Sequence, residues 1–257
     1  MKDWDAKLYS QFENERTLPS HDLVKAISID NPKLIIDIGC GIGNSTAVLK
    51  NRFKDARIIG VDSSDDMLIK ANKDYPELEF VKLDAGKELD TLNEKYDIVY
   101  SNACIQWISD HKALIPKLFN LLTYNGSLAI QIPQHTKHPM HSIIKRVAES
   151  DQWYNKFSNP KKLYILSEEE YYDVFSNLTD NFRIWETTYF HIMPSHQSIV
   201  EWYKGAGLRP YMDQLSIEDR ALFEKDILAE VEKTYPVQAN GNIIFRFPRL
   251  FMLAKKQ

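Results

Sequence analysis

Two spacings of apolar residues alternate along the chain. Short apolar-bearing runs at 34–38, 57–62, 79–84 and 96–103 have the length of strands, and the first, largely β-branched, has the density of one buried on both faces. Between them apolar positions recur at helical spacing; 114–122 reads as a helix and 127–132 as a fifth strand. Beyond Pro133 the rhythm loosens. Helices are predicted over 140–150 and 167–177, a long strand over 182–192, helices over 197–204 and 216–234, and a seventh strand over 243–254.

This alternation predicts an α/β fold, a doubly wound, mostly parallel sheet of seven strands. The two helices before the last strand read as an insertion that caps the open sheet edge. At the N-terminus Trp4, Leu8, Phe12 and Glu15 fall near one helical stripe, and Pro19 is expected to break that helix before a second one capped by Ser20. With no Gly/Ser linker, repeat or low-complexity tract, 1–257 reads as one domain. Its parts are N-terminal lid helices over 1–30, a cofactor-binding core over 31–133, and the remaining sheet over 134–257, with a substrate cap at about 195–240.

The first strand runs into Asp37-Ile38-Gly39-Cys40-Gly41-Ile42-Gly43-Asn44-Ser45. Alternate glycines permit a tight turn, positive φ and close approach of a ligand, and Asn44-Ser45 are placed to cap the next helix. The second strand ends in Asp62, nineteen residues after Gly43, where such folds place an acid on ribose hydroxyls. The third delivers Asp84 to the same edge, within reach of an adenine amino group, and the fourth ends at Asn102-Ala103 as a wall beside the reacting carbon. Taken singly, Asp62 and Asp84 also read as helix-cap or turn residues, and Trp107 as a core anchor. Three strand ends in succession that finish in polar residues favour a cofactor crevice. A nicotinamide dinucleotide fits less well, because its fingerprint is G-x-G-x-x-G and this turn is G-x-G-x-G.

Composition removes several classes. At 44% hydrophobic residues and a net charge of −4, the 257-residue chain has the make-up of a globular enzyme and no electrostatic footprint for nucleic acid. No apolar run reaches membrane-spanning length and no signal region follows Met1, so a cytoplasmic protein is expected, as a monomer or weak homodimer. Cys40 and Cys104 form neither a disulfide framework nor a metal pattern. His135, His138 and His141 recur every three residues without partner carboxylates, so no metal is expected; the run reads as a loop entering a helix, with Gln134 or His135 near substrate.

The Asp37 to Gly43 turn with Asp62 and Asp84 resembles the first motifs of Rossmann-like class I S-adenosylmethionine-dependent methyltransferases. Trp4 to Ser20, with Glu15-Arg16-Thr17 before Pro19, is similar to the N-terminal signature of the trans-aconitate 2-methyltransferase family, and Gln106-Trp107, Gln131-Ile132-Pro133, Gly207-Leu208-Arg209-Pro210 and Phe247-Pro248-Arg249-Leu250-Phe251 extend the likeness. Leu18 departs from it where a second basic residue is frequent, and Ile42 where proline is. The resemblance implies S-adenosylmethionine as cofactor, S-adenosylhomocysteine as product, and Asp37, Gly39, Cys40, Gly41, Asn44, Asp62, Ser63, Met67, Asp84, Ala85, Asn102, Ala103 and Trp107 as the cofactor site.

The implied reaction forms the monomethyl ester of trans-aconitate or a close polycarboxylate. A carboxylate of ordinary pKa, about 4, is already ionised at neutral pH, so no catalytic base is expected. The other carboxylates need cationic and polar partners. Candidates are Arg16 in the lid, Tyr189 and His191 on the sixth strand, Trp202, Lys204 and Arg209 in the cap, and Arg246, which with Arg249 flanks Phe247-Pro248. Alternatives are another small carboxylate, a carrier-bound malonyl group, or a cofactor-binding regulatory protein without turnover.

Overall fold

The computed structural model describes residues 13–134, 138–158, 163–205 and 207–257, apart from the side chains of residues 13, 14 and 16. Trp4, Leu8, Phe12, His135 and the Arg16 side chain lie outside what is described. The sheet contains β1 (Leu34–Ile38), β2 (Arg57–Asp62), β3 (Glu79–Lys82), β4 (Tyr96–Asn102), β5 (Leu122–Pro133), β6 (Phe182–Met193) and β7 (Ile243–Lys255). Their order is β3-β2-β1-β4-β5-β7-β6. Pairing is parallel except for β7, which runs against both β5 and β6. The order of the strands reverses between β1 and β4, so the carboxyl ends of these parallel strands open a crevice at that switch point.

Strand parity divides the sheet into faces. Ile36, Val99, Leu128, Ile130, Leu250 and Met252 pack beneath α4 (His111–Asn120) and α6 (Glu168–Ser176). On the opposite face Ile35, Ile98, Ala129 and Phe251 meet Leu23, Val24 and Ile27 of α1 (Glu13–Ala26) and Val48 and Leu49 of α2 (Asn44–Arg52). α3 (Asp65–Asp74) joins β2 to β3 and is capped by Ser64. The Arg52 guanidinium donates to the carbonyls of Val24 and Ile27, tying the C-terminal end of α1 to α2.

A third cluster belongs to the cap. It joins α5 (Pro139–Ala148), α7 (His196–Lys204) and α9 (Ile217–Thr234) around Ile144, Trp202, Tyr203 and Phe223. The cap thus draws on the segment after β5 as well as on the insertion between β6 and β7. Phe245 and Phe247 of β7 sit in the same cluster and fasten the cap to the sheet.

Three local expectations are corrected. α1 runs unbroken through Pro19, and Ser20 is an interior residue of that helix rather than its cap. Proline removes one helical hydrogen bond; burial of Leu23, Val24 and Ile27 and the 2.7 Å bond between Ser20 Oγ and Tyr100 Oη outweigh it. The residue preceding α2 is Gly43, left-handed at φ 93° and without a side-chain cap bond, because the turn needs positive φ where a capping Asn or Ser would stand extended. β3 stops at Lys82, so Asp84 lies in the following turn. The short α8 (Arg209–Met212) has no periodic signal in the sequence.

Candidate cofactor and substrate site

A cleft of about 500 Å³ opens where β1, β2 and β4 end. Of the thirteen residues expected to hold the cofactor, Gly39, Cys40, Gly41, Asn44, Asp62, Ser63, Met67, Asp84, Ala85, Asn102, Ala103 and Trp107 line it. Thr17 and Ser20 of α1 close one side, so the lid helix reaches the crevice.

The turn is shaped by two glycines in different ways. Gly39 has φ +73°, and a Cβ there would lie 2.1 Å from Cys104 Sγ. At Gly41, φ +55°, a Cβ would meet nothing within 4 Å, so a side chain would enter the cleft. The Gly39 and Cys40 amides both donate to the Val61 carbonyl, at 2.8 and 3.0 Å, clamping the turn onto β2. Asp62 completes the clamp: its Oδ2 accepts the Gly41 amide at 3.0 Å and its Oδ1 the Ser64 amide at 2.9 Å.

Asp37 is the exception among the thirteen. It is fully buried and absent from the cleft lining, where its Oδ2 accepts the hydroxyls of Ser45 at 2.6 Å and Thr46 at 2.7 Å. Burial pushes its carboxyl up to about 6, against those two bonds, which pull it down. It therefore shapes the first turn of α2 from below. Burial likewise keeps the Cys40 thiol protonated.

The far wall comes from the end of β4. Ala103 is held at φ 54°, with its amide bonded to the Gln131 carbonyl at 2.8 Å and its carbonyl to Gln106 Nε2 at 2.7 Å. A left-handed non-glycine residue so over-determined belongs to a built site. Asn102 Oδ1 is buried and has no hydrogen-bond partner among the described residues. Asp84 caps its own turn through the Gly86 amide at 2.9 Å and pairs with Lys87 at 2.8 Å. Trp107 rises from a short 3-10 turn, Ile105–Trp107, and lines the cleft.

The expected substrate residues separate more widely, and none of those whose side chains are described lines this cleft. Tyr189 and His191 share a face of β6; Tyr189 donates its hydroxyl to Asp22 of α1 at 2.5 Å, and burial together with that carboxylate holds its own proton tightly. His191 is buried, with the Trp202 ring tilted against it, 4.8 Å between centroids. Three of them have partners elsewhere in the fold. Trp202 is a core residue of the cap, 3% exposed among aromatic neighbours. Lys204 is engaged by Glu201 at 3.2 Å and Glu224 at 3.0 Å within the cap. Arg246 projects from the opposite face of β7 into a separate cavity with Glu186, Thr188 and Tyr235. Arg209 is held beside Asp213, 3.4 Å away.

His138 also has a structural task. Its Nδ1 accepts the Met140 amide at the start of α5 and its Nε2 bonds the Arg246 carbonyl at 2.8 Å; burial pushes its pKa down to about 4. Gln134 is buried and donates to Glu168 at 3.1 Å. Among the described residues no group of His, Cys, Asp or Glu is arranged for a metal ion. Residues the sequence reading did not single out are Ile108 and Ser109 in the cleft; their apolar or hydroxyl character carries no motif.

Comparison with known proteins places this geometry. The family model described as "Methyltransferase domain" matches residues 35–126. Among solved structures, Haemonchus contortus phosphoethanolamine N-methyltransferase 2, in complex with S-adenosyl-L-methionine, aligns with a TM-score of 0.61 at 17% identity, over 98% of this chain and 57% of that one. The YcgJ protein of Bacillus subtilis aligns at 0.59 and 16% identity, over 93% and 98%. These likenesses establish the fold. Curated relatives are closer in sequence: the trans-aconitate 2-methyltransferase of Yersinia pestis is 39% identical and that of an Enterobacter species 38%, each over the whole of both chains. The chain belongs to the trans-aconitate 2-methyltransferase family.

Proposed function

We propose that this protein transfers a methyl group from S-adenosylmethionine to one carboxylate of trans-aconitate or a closely related small polycarboxylate. The observation that carries the cofactor half is the Asp62 carboxylate, fixed by the Gly41 and Ser64 amides at the cleft floor. Carboxylate oxygens have further lone pairs, and an acid so oriented is suited to accept two vicinal ribose hydroxyls. Asn102 Oδ1, a buried acceptor without a partner among the described residues, suits the cationic amino-acid end of the same ligand. Ala85, Met67 and Trp107 would flank the adenine, with Asp84 near its amino group.

The bound cofactor supplies a methyl carbon made electrophilic by its sulfonium. A carboxylate oxygen would take that methyl group with the electron pair of the broken bond left on sulfur, so no proton would need to be moved by the protein. The protein's work is therefore to hold oxygen and carbon in line at about 3 to 3.5 Å and to exclude water, not to remove a proton. Thr17 and Ser20 place α1 where it closes the crevice.

We place the enzyme in the cytoplasm, as a monomer or weak homodimer with no nucleic-acid partner, in keeping with its net charge of −4. Among the described residues no helix is long and apolar enough to cross a membrane. The reading is tested by following S-adenosylhomocysteine release with a panel of mono-, di- and tricarboxylates. Release with the polycarboxylates and none without acceptor is expected. Release with no small acid would transfer the assignment to a carrier-bound acyl group or to a protein without turnover.

A further inference from the structure

We infer that Arg249 and Gln131 together form the seat of the substrate carboxylates, on the side of the cleft away from the cofactor, an inference that rests on the polycarboxylate reading above. The sheet register brings them together. Asn102 pairs with Gln131 across β4 and β5, Gln131 with Phe251 across β5 and β7, and Arg249 with Pro133 one alternate position along. Residues paired in register share a face, as do residues two apart. Asn102, Gln131 and Arg249 therefore stand side by side on the face that α1 covers, in a line from cleft to cap.

Gln131 points to a ligand. It is fully buried, and neither its side-chain nitrogen nor its side-chain oxygen has a hydrogen-bond partner among the described residues. A buried amide is normally satisfied, and the Gln131 backbone stands one strand, about 4.8 Å, from that of Asn102 in the cleft wall. An amide donor there meets the oxygen of an acid presented to the methyl carbon.

Arg249 supplies the charge. It is only 5% exposed, with its guanidinium 4.3 Å from the Phe247 ring centre. It pairs in register with Pro133 of β5 and Thr187 of β6, and Phe247 beneath it belongs to the cap cluster, which places it where sheet and cap meet. A guanidinium fork matches a carboxylate with two parallel N–H donors, which no ammonium reproduces. Gln131 then takes the reacting carboxylate and Arg249 a second one, so an acid with a single carboxylate forfeits the stronger contact.

The test compares wild type with Arg249→Gln, Arg249→Lys and Gln131→Leu. Binding of trans-aconitate to the S-adenosylhomocysteine complex is measured by calorimetry, and turnover beside it. Arg249→Gln is expected to weaken trans-aconitate binding about a hundredfold while S-adenosylhomocysteine affinity stays within about twofold, with Arg249→Lys intermediate. Gln131→Leu, which removes a buried polar group and so keeps the fold, is expected to lower kcat more than it raises KM. Unchanged trans-aconitate binding in Arg249→Gln, or no binding by wild type, overturns the inference. Binding that depends on Arg249 without turnover by wild type overturns the functional reading and leaves the anion seat standing. If Arg249→Gln loses S-adenosylhomocysteine binding as well, Arg249→Lys decides: wild-type trans-aconitate affinity there overturns the bidentate seat.

Discussion

Asp62 Oδ2 accepts the Gly41 amide at 3.0 Å, so the acid at the end of β2 and the glycine turn after β1 form one unit. The carboxylate orders the loop and, in the reading above, receives the ribose. Asp62→Ala removes both contributions. Cofactor affinity is expected to fall by about 1.5 to 3 kcal/mol, with a smaller loss in Asp62→Asn, which keeps one acceptor. Isothermal titration with S-adenosylhomocysteine measures it; an Asp62→Ala protein that binds normally contradicts the assignment.

Gly39 separates two costs in one position. Alanine there is strained by its φ of +73° and collides with Cys104 Sγ at 2.1 Å. Gly39→Ala is expected to cost on the order of 2 to 4 kcal/mol of stability. Adding Cys104→Gly relieves the collision but not the backbone strain, so the double variant should recover part of the loss. Urea denaturation of the four proteins of the cycle reads the two terms; full recovery would show that φ contributes nothing.

Asp37 gives a pH dependence with a definite sign. Its carboxyl is raised from 3.8 to about 6 by burial, so between those values the folded protein holds a proton that the unfolded chain has released. The stabilisation is complete below pH 3.8 and is lost as pH rises through 6, an effect of about 3 kcal/mol at most. Asp37→Asn does not titrate. Its stability relative to wild type should therefore grow between pH 4.5 and 7.5, by chemical denaturation at each pH. A difference independent of pH would contradict the raised pKa.

Ser20 and Tyr100 tie the lid to the sheet through a buried 2.7 Å hydrogen bond. Ser20→Ala leaves the Tyr100 hydroxyl with only the Ser20 carbonyl at 3.2 Å and should cost about 1 to 2 kcal/mol. The double variant with Tyr100→Phe should cost less than the sum of the singles, because the stranded hydroxyl is gone. Additive losses by thermal denaturation would mean that the pair is not coupled.

The cofactor half of the site is legible in the chain because it is local. Gly39, Gly41 and Asp62 belong to strand ends whose order and spacing are fixed by the alternation, and each strand end delivers its last polar residue to one edge. The substrate half depends on facts the sequence does not carry. Arg246 and Arg249 stand three positions apart near Pro248, and only the register of β7 shows that one enters a separate cavity while the other shares a face with Gln131. Lys204 looks available until Glu224, twenty residues later on another helix, is packed beside it. Pro19 reads as a break because its cost is local, whereas the packing that carries α1 through it comes from Tyr100 and the sheet.

The most direct test of methyl transfer to a small polycarboxylate is mass spectrometry of trans-aconitate incubated with the protein and methyl-deuterated S-adenosylmethionine. One labelled methyl per acid, released as methanol on saponification and matched mole for mole by S-adenosylhomocysteine, is the predicted result. Unmodified acid with intact cofactor, under conditions where calorimetry shows both to be bound, would contradict it.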